Sequence, residues 1–232
     1  MEKEIIAIIP AKGQSKGVPR KNIRLLLGKP LIWYSIQAAK SVKNIKRVFV
    51  STEDKEIAEI SKKFGAEIIK RPIEYAKDES PTNDVISHIL DTLNEREKYE
   101  PSTIVLLQPT SPLRESKNIK EALELFQTNK CGSVISICEV LHPIQWTFEI
   151  VDNGFLKPAF NEKYLGMRRQ ELTKYYLPNG AIFITSLSNF REKNSFYCHP
   201  IMPYIMPPEI SVDLDTELDF IIAESLLKLK TI

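Results

Sequence analysis

The stretch Ile5-Ile6-Ala7-Ile8-Ile9-Pro10-Ala11-Lys12-Gly13-Gln14-Ser15-Lys16-Gly17-Val18-Pro19-Arg20-Lys21-Asn22 opens as an unbroken apolar run and ends in a loop of glycines and cations. A short continuous apolar run reads as a strand buried on both faces, as parallel sheets require. The loop then stands at the carboxyl end of that strand, where open α/β sheets take their ligands. Glycines let the backbone approach a phosphate, and the exposed N–H groups form a nest for an anion. Lys12, Lys16, Arg20 and Lys21, with Arg24 just beyond, carry enough positive charge for a triphosphate. The spacing matches neither G-x-x-x-x-G-K-[ST] nor G-x-G-x-x-G. On composition alone, a solvated basic loop competes evenly with a phosphate site.

Outward from this loop, β-branched runs alternate with helical patterns, which predicts β-α units on a parallel sheet. Strands are expected at Arg47–Ser51, Ala66–Ile69, Thr103–Leu107, Ser133–Cys138 and Gly180–Thr185. Pro30 opens a helix carrying Leu31, Tyr34, Ser35, Ala38 and Ala39 at helical spacing. Thr52 is expected to cap a helix with Ile57, Ile60 and Phe64 on its inner face, closed by Gly65. Further helices are expected at Pro81–Leu93, Ser116–Thr128 and Thr216–Leu229, the last with Leu218, Ile221, Ile222 and Leu229 inward. Between Glu139 and Pro178 the rhythm fails. That length is too great for a structureless connection, so it reads as an insertion: a hairpin arm, a lid or a dimer contact. Ile144, Trp146, Phe148, Phe155, Phe160 and Tyr164 make it apolar enough to need a partner surface. The chain thus divides into one domain of residues 1–138 and 179–232, and an insertion of residues 139–178.

The 232 residues suit one large domain, and 43% apolar residues supply a proper core. With 32 Lys+Arg against 30 Asp+Glu, the formal charge of +2 gives no reason to expect a nucleic-acid partner. Cys131, Cys138 and Cys198 form no CxxC and leave one over, so they read as buried thiols in a reducing cytoplasm. The apolar run Ile5–Ile9 is far too short for a signal peptide or a membrane span, so a cytoplasmic chain with no membrane partner is expected. His88, His142 and His199 show no metal-ligand spacing, and no covalent nucleophile stands out.

Five segments carry a resemblance. They are Ile8-Ile9-Pro10-Ala11-Lys12-Gly13-x-Ser15-Lys16-Gly17 with Lys21-Asn22, then Arg71-Pro72-x-Glu74-x-Ala76-x-Asp78, then Leu107-Gln108-Pro109-Thr110-Ser111-Pro112-Leu113-Arg114. Pro178-Asn179-Gly180-Ala181-Ile182 and Ser211-Val212-Asp213-Leu214-Asp215-Thr216-Glu217-Leu218-Asp219 complete the set. In this order, over positions 8 to 219, they resemble the CMP-sialic acid synthetases, the N-acylneuraminate cytidylyltransferases. The resemblance implies a Rossmann-like nucleotidyltransferase fold with a mainly parallel, mixed sheet and an inserted dimerisation arm. It implies transfer of CMP from CTP to the anomeric 2-hydroxyl of a nonulosonic acid, with release of pyrophosphate.

Residue by residue, the resemblance gives Lys16 and Lys21 the β- and γ-phosphates, with Lys12, Gly13 and Ser15 beside them. Asn22, Arg71 and Thr82 address the cytidine. Gln108 meets the sugar acid, and Arg169, in Arg169-Gln170, pairs with a carboxylate. Phe183, Phe196 and Tyr197 match aromatics of the sugar pocket, although core packing is the commoner fate of such rings. Four positions depart from the family pattern: Lys12 replaces Arg, Gln14 replaces Gly, Gln145 stands where Lys is frequent, and Thr173 replaces Pro. Two carboxylates one residue apart project the same way from an extended segment, so Asp213 and Asp215 can share a hard cation. Magnesium is therefore the expected cofactor, and Lys16, Lys21, Asp213 and Asp215 are the expected catalytic set. The Asp-Leu-Asp-Thr string also resembles the nucleophile motif of aspartate phosphatases, which need a long domain downstream of it. Within the same class, a legionaminic or pseudaminic acid synthetase shares these motifs; a non-catalytic nucleotide-sugar sensor is the rival of another class. The expected assembly is a homodimer.

Overall fold

The computed structural model describes residues 4–230 other than 16, 78 and 153. Its centre is a seven-stranded sheet, built on β1 (Ile5–Pro10). On one side β1 pairs with β4 (Ile45–Thr52) and β4 with β5 (Glu67–Lys70), all parallel. On the other, β1 pairs in parallel with β6 (Thr103–Leu106), which pairs with β10 (Tyr176–Ser186). Beyond β10 come β7 (Ser133–Glu139) and β11 (Ile201–Ile205). β10 runs against both β6 and β7, and β7 and β11 are parallel. The sheet is mixed and mainly parallel.

Both faces of β1 are buried, and its alternation shows how the layers divide. Ile5, Ala7 and Ile9 pack with Ile32, Ile36 and Ala39 of α1 (Leu31–Lys40), Ile57 of α2 (Lys55–Lys63), and Ile119 and Ala122 of α4 (Ser116–Thr128). Ile6 and Ile8 face Val85, Ile86, Ile89 and Leu93 of α3 (Thr82–Glu97) and Phe190 of α5 (Leu187–Lys193). The result is a three-layer α/β/α domain. Each fully buried isoleucine contributes about 1.5–3 kcal/mol relative to exposure. Among the described residues no helix is long and apolar enough to cross a membrane.

Several expectations need correction. The cap of α2 is Asp54, whose Oδ1 accepts from the Ile57 N–H at 2.9 Å, while Thr52 accepts from Asp54 N at 3.1 Å. The final helix α6 (Glu217–Leu229) does begin at Thr216, but turns the opposite stripe inward. Phe220 and Ala223 are buried against Val18, Leu26, Leu31 and Leu214, whereas Leu218, Ile221, Ile222 and Leu229 are exposed. The helix is apolar on two sides, so periodicity alone could not choose between them. Of the cysteines, all free, only Cys198 is fully buried; Cys131 and Cys138 are half-buried. The last sheet strand from sequence begins earlier, at Tyr176, and four elements have no counterpart in the sequence reading: α5, β11, and a small hairpin of β2 (Leu25–Leu26) with β3 (Lys29–Pro30).

The 139–178 excursion leaves from the end of β7 and returns as the start of β10, with Glu139 opposite Tyr176. Between them lie short turns of 3-10 helix and a hairpin of β8 (Phe148–Ile150) with β9 (Leu156–Pro158). Trp146 Nε1 donates to Tyr164 O at 2.9 Å, giving the arm a small anchor of its own.

Candidate active site

At the carboxyl ends of β1, β5 and β6 lies a cavity of about 560 Å³. Lys12, Ser15, Lys21, Asn22, Arg71 and Thr82 line it, together with Gln108, Asp213 and Asp215. Residues far apart in sequence thus meet around one space. Gly13 does not line it, and Lys16 lies outside the described residues. Tyr75, Lys77, Ser80 and Thr110 also line the cavity and were missed. The first three follow directly on Arg71-Pro72, so proximity to that motif was the available signal.

The loop after β1 is held by its own residues. Asn22 is buried, and its Nδ2 donates to Lys12 O at 2.8 Å, tying the two ends of the loop together. One amide group of Asn22 is therefore structural, leaving Oδ1 as the acceptor that can address a ligand. Arg20 does not line the cavity; it turns away to a bidentate pair with Asp54 and a second contact with Glu56. Arg24 likewise pairs with Glu217 and lies 4.4 Å over the Phe220 ring. Hence the pooled cationic charge inferred from sequence is divided. Lys12 and Lys21 line the cavity, while Arg20 and Arg24 bind the loop to α2 and α6.

Arg71 directly follows β5 and is buried against the end of β4, where Nη2 donates to Ser51 O at 2.9 Å and Nε to Ser51 Oγ at 3.2 Å. Burial pulls its guanidinium below its usual range, opposed by the charge of Glu53. A buried, anchored arginine is a rigid donor rather than a roaming charge.

The two aspartates straddle Leu214. That residue is fully buried, and its N–H donates to Thr110 O at 2.9 Å, so its neighbours on either side both face the cavity. Lys21 Nζ donates to Asp215 Oδ1 at 2.9 Å and to Leu214 O at 2.6 Å. The Asp213 carboxyl keeps solvent contact through the cavity mouth, yet the surrounding wall pushes it above the usual carboxylate range. Asp215 and Asp219 add repulsion, and Thr110 and Lys21 pull the other way. Gly17 lets this segment close on the loop, since a Cβ there would lie 2.1 Å from Asp215 O. Among the described residues no group of three or more His, Cys, Asp or Glu side chains gathers to hold a metal. The donor set is a pair, which suits a cation that completes its shell with substrate oxygens.

A family model described as cytidylyltransferase matches residues 6–221. The chain belongs to the cytidylyltransferase family. It is 36% identical to the N-acylneuraminate cytidylyltransferase of Escherichia coli O18:K1:H7 (strain RS218 / NMEC), over 96% of this chain and 52% of that protein. It is also 36% identical to the CMP-N,N'-diacetyllegionaminic acid synthase of Legionella pneumophila subsp. pneumophila (strain Philadelphia 1 / ATCC 33152 / DSM 7513), over 97% of each. The chain spans about half the length of the first of these curated relatives. The solved structure of CMP:2-keto-3-deoxy-manno-octonic acid synthetase complexed with CTP shares its fold, with a TM-score of 0.69 at 17% identity, covering 98% of this chain and 99% of that one.

Four of the five segments contribute lining residues to the cavity; the fifth, Pro178-Asn179-Gly180-Ala181-Ile182, lies beneath Gln108. Of the residues assigned to the sugar, Gln108 lines this cavity and the other four lie elsewhere. Phe183 and Phe196 are buried in the core with ring centroids 6.1 Å apart, and Tyr197 is exposed at 6.4 Å from Phe183. None of the three lines the main cavity. Arg169 stands on the arm, 3.7 Å from Glu139, and lines a second cavity of about 380 Å³ with Gln170, Thr173 and Lys174. Gln145 is buried beside it, where Nε2 donates to Thr173 O at 2.9 Å. Two of the departures from the family pattern thus touch one another.

Proposed function

We propose that this chain transfers CMP from CTP to the anomeric 2-hydroxyl of a nonulosonic acid of the sialic type. The observation that carries the reading is the single cavity that joins the glycine-lysine loop, Asn22, Arg71 and Thr82, and the Asp213–Asp215 pair. Similarity to a sialic acid cytidylyltransferase supports the acceptor class. In this reading Lys12, Lys16 and Lys21 take the phosphate charge, with Gly13 and Ser15 bending the backbone around it. Arg71 and the free acceptor of Asn22, with Thr82, address the cytidine. The sugar hydroxyl attacks the α-phosphorus as the bond to the bridging oxygen breaks, pyrophosphate leaves, and the hydroxyl proton passes to one of the aspartates.

Asp213 and Asp215 fit magnesium. Their carboxylates face one cavity and crowd one another, so a cation relieves their repulsion. When bound, it supplies charge stabilisation to the phosphates. In the absence of a cation, Lys21 does part of that work for Asp215.

The arm supports a homodimer. Leu141, Ile150, Leu156 and Leu177 are 58%, 79%, 65% and 61% exposed, a concentration that favours a covering surface. Arg169 lines a separate cavity of its own chain, so its contact with a sugar carboxylate is read as made in the partner's site.

The test is pyrophosphate release by purified protein given CTP, ATP or GTP, each with and without N-acetylneuraminic acid. Release with CTP that requires the sugar is expected; equal turnover of ATP, or no turnover with any acid of a nonulosonic panel, would overturn the reading. A legionaminic-type acceptor is the second reading, favoured by a match that spans 97% of the Legionella relative's length. The same panel separates the two.

A further inference from the structure

Arg114 is among the largest fully buried side chains, 2% exposed, and no carboxylate pairs with it among the described residues. Burial pushes its guanidinium down to about 9, still above neutrality, so it holds its charge at the working pH. Nothing in ordinary core packing favours an unpaired buried cation, which is costly. Its hydrogen bonds show what it does. Nη1 donates to Gln108 O at 3.2 Å and to Ala181 O at 2.9 Å, and Nη2 donates to Ser35 Oγ, which itself donates to Gln108 O at 3.3 Å. Nε is buried with no partner.

These bonds fall where the sheet opens. The β6–β10 ladder runs from Thr103 opposite Ser186 to Leu106 opposite Phe183 and goes no further. Two residues past Leu106 the chain reaches Gln108, and β10 shifts register against β7 between Pro178 and Phe183. Arg114 spans that gap, holding a carbonyl from each side. On the β10 side lies Gly180, at φ +73°, and a Cβ there would come within 2.5 Å of Gln108 Oε1. The Gln108 amide therefore rests on a bare glycine, with its backbone gripped from behind by Arg114.

We propose that Arg114 is the positioning residue for Gln108: it fixes the height and tilt of that amide at the cavity floor, and its unpaired charge is retained because the occupants are anions. The proposal rests on the nonulosonate reading for the identity of what Gln108 meets. A misplacement of about 1 Å at such a contact costs up to ~10²-fold, so a modest shift is enough to read.

The experiment uses full-length Arg114→Lys, which keeps the charge and three donors on one nitrogen but loses the planar fork that holds both carbonyls through Nη1 and Ser35 Oγ through Nη2, and Gly180→Ala, which disturbs the same amide from the opposite side. With folding checked by circular dichroism, KM for the sugar acid is expected to rise on the order of 10-fold or more in both, with KM for CTP within about 3-fold of wild type. In a Gln108→Ala background, Arg114→Lys should add little further. A parallel loss for CTP and sugar acid, or full multiplication of the Arg114 and Gln108 effects, would reduce Arg114 to general structural support and overturn the proposal. If Arg114→Lys does not fold, the same comparison on Ser35→Ala, which removes the hydroxyl that links Arg114 Nη2 to Gln108 O, and its double with Gln108→Ala decides the matter. A crystal structure of Arg114→Lys, or of Ser35→Ala in that case, gives an answer that needs no turnover. Gln108 displaced from position 180 supports the proposal and Gln108 unmoved sinks it, whereas a wild-type protein inert toward CTP sinks the cytidylyltransferase reading instead.

Discussion

The Gly13 N–H donates to Glu53 Oε1 at 2.6 Å, so a carboxylate occupies a backbone donor of the loop that is read as the phosphate cradle. The other carboxylate oxygen, Oε2, is buried without a partner. A triphosphate arriving at this loop meets that negative charge and competes with it for the same N–H.

Glu53→Gln keeps an acceptor for Gly13 and removes the charge. Repulsion between unit charges about 4 Å apart in a water-like medium is worth ~1 kcal/mol, or about fivefold in affinity. CTP should therefore bind about fivefold more tightly to the variant by calorimetry. Unchanged or weaker binding would mean that the carboxylate supports the loop rather than competing for it.

Asp213→Asn and Asp215→Asn are expected to lower kcat by about 10²–10³ each, the usual cost of losing one electrostatic stabiliser. Both side chains face the cavity, and Leu214 and Val212 anchor the segment to the core, so circular dichroism and Tm should stay near wild type. Near-normal magnesium-dependent turnover in both variants would place the cation elsewhere.

The sheet's first half and the cavity were legible because each rests on a local signal: an apolar run, a helix period, or a short motif. Ile5–Pro10 announces a doubly buried strand by composition, and Asp213 and Asp215 announce a shared face by spacing. What escaped depends on tertiary choice. Nothing in Tyr176–Ser186 states that it runs against its neighbours, and nothing in α6 ranks Phe220 above Ile221 for burial. Arg20 and Arg24 counted as phosphate ligands from sequence because their acidic partners, Asp54 and Glu217, are 34 and 193 residues away.

Acid titration offers a check on the clamp between Arg20 and Asp54. Partial burial raises the Asp54 carboxyl, but the hydrogen bonds from Arg20 and from Ile57 N, with the charge of Arg20, outweigh it and hold the group below its usual range. A depressed carboxyl stabilises the fold above its unfolded value, near pH ~3.9, and that contribution is lost as pH falls through the lower folded value. Asp54→Asn keeps a capping oxygen and should flatten this part of the decline in Tm below about pH 4, while Asp54→Ala should cost about 1 kcal/mol at neutral pH. Matching acid slopes in wild type and Asp54→Asn would refute the assignment.

Mixing tests the shared site. Arg169→Ala and Asp213→Asn homodimers should each be nearly inactive. In a heterodimer one site collects both defects and the other neither, so random exchange should restore about a quarter of wild-type activity. Verified heterodimers with no recovery would remove the contribution in trans, and a monomer by light scattering would remove the dimer itself.

The near contact between Gly17 and Asp215 has a consequence for biogenesis. Lys21 waits for a carboxylate 194 residues downstream, whereas the β1–β4 pair joins segments only some forty positions apart. Long closures are the slow ones, since their entropy is lost before the contact compensates for it. On the ribosome, then, the sheet can assemble while the loop after β1 still lacks its aspartates. On the proposed reading, nucleotide would therefore meet a complete site only once synthesis has passed Asp215.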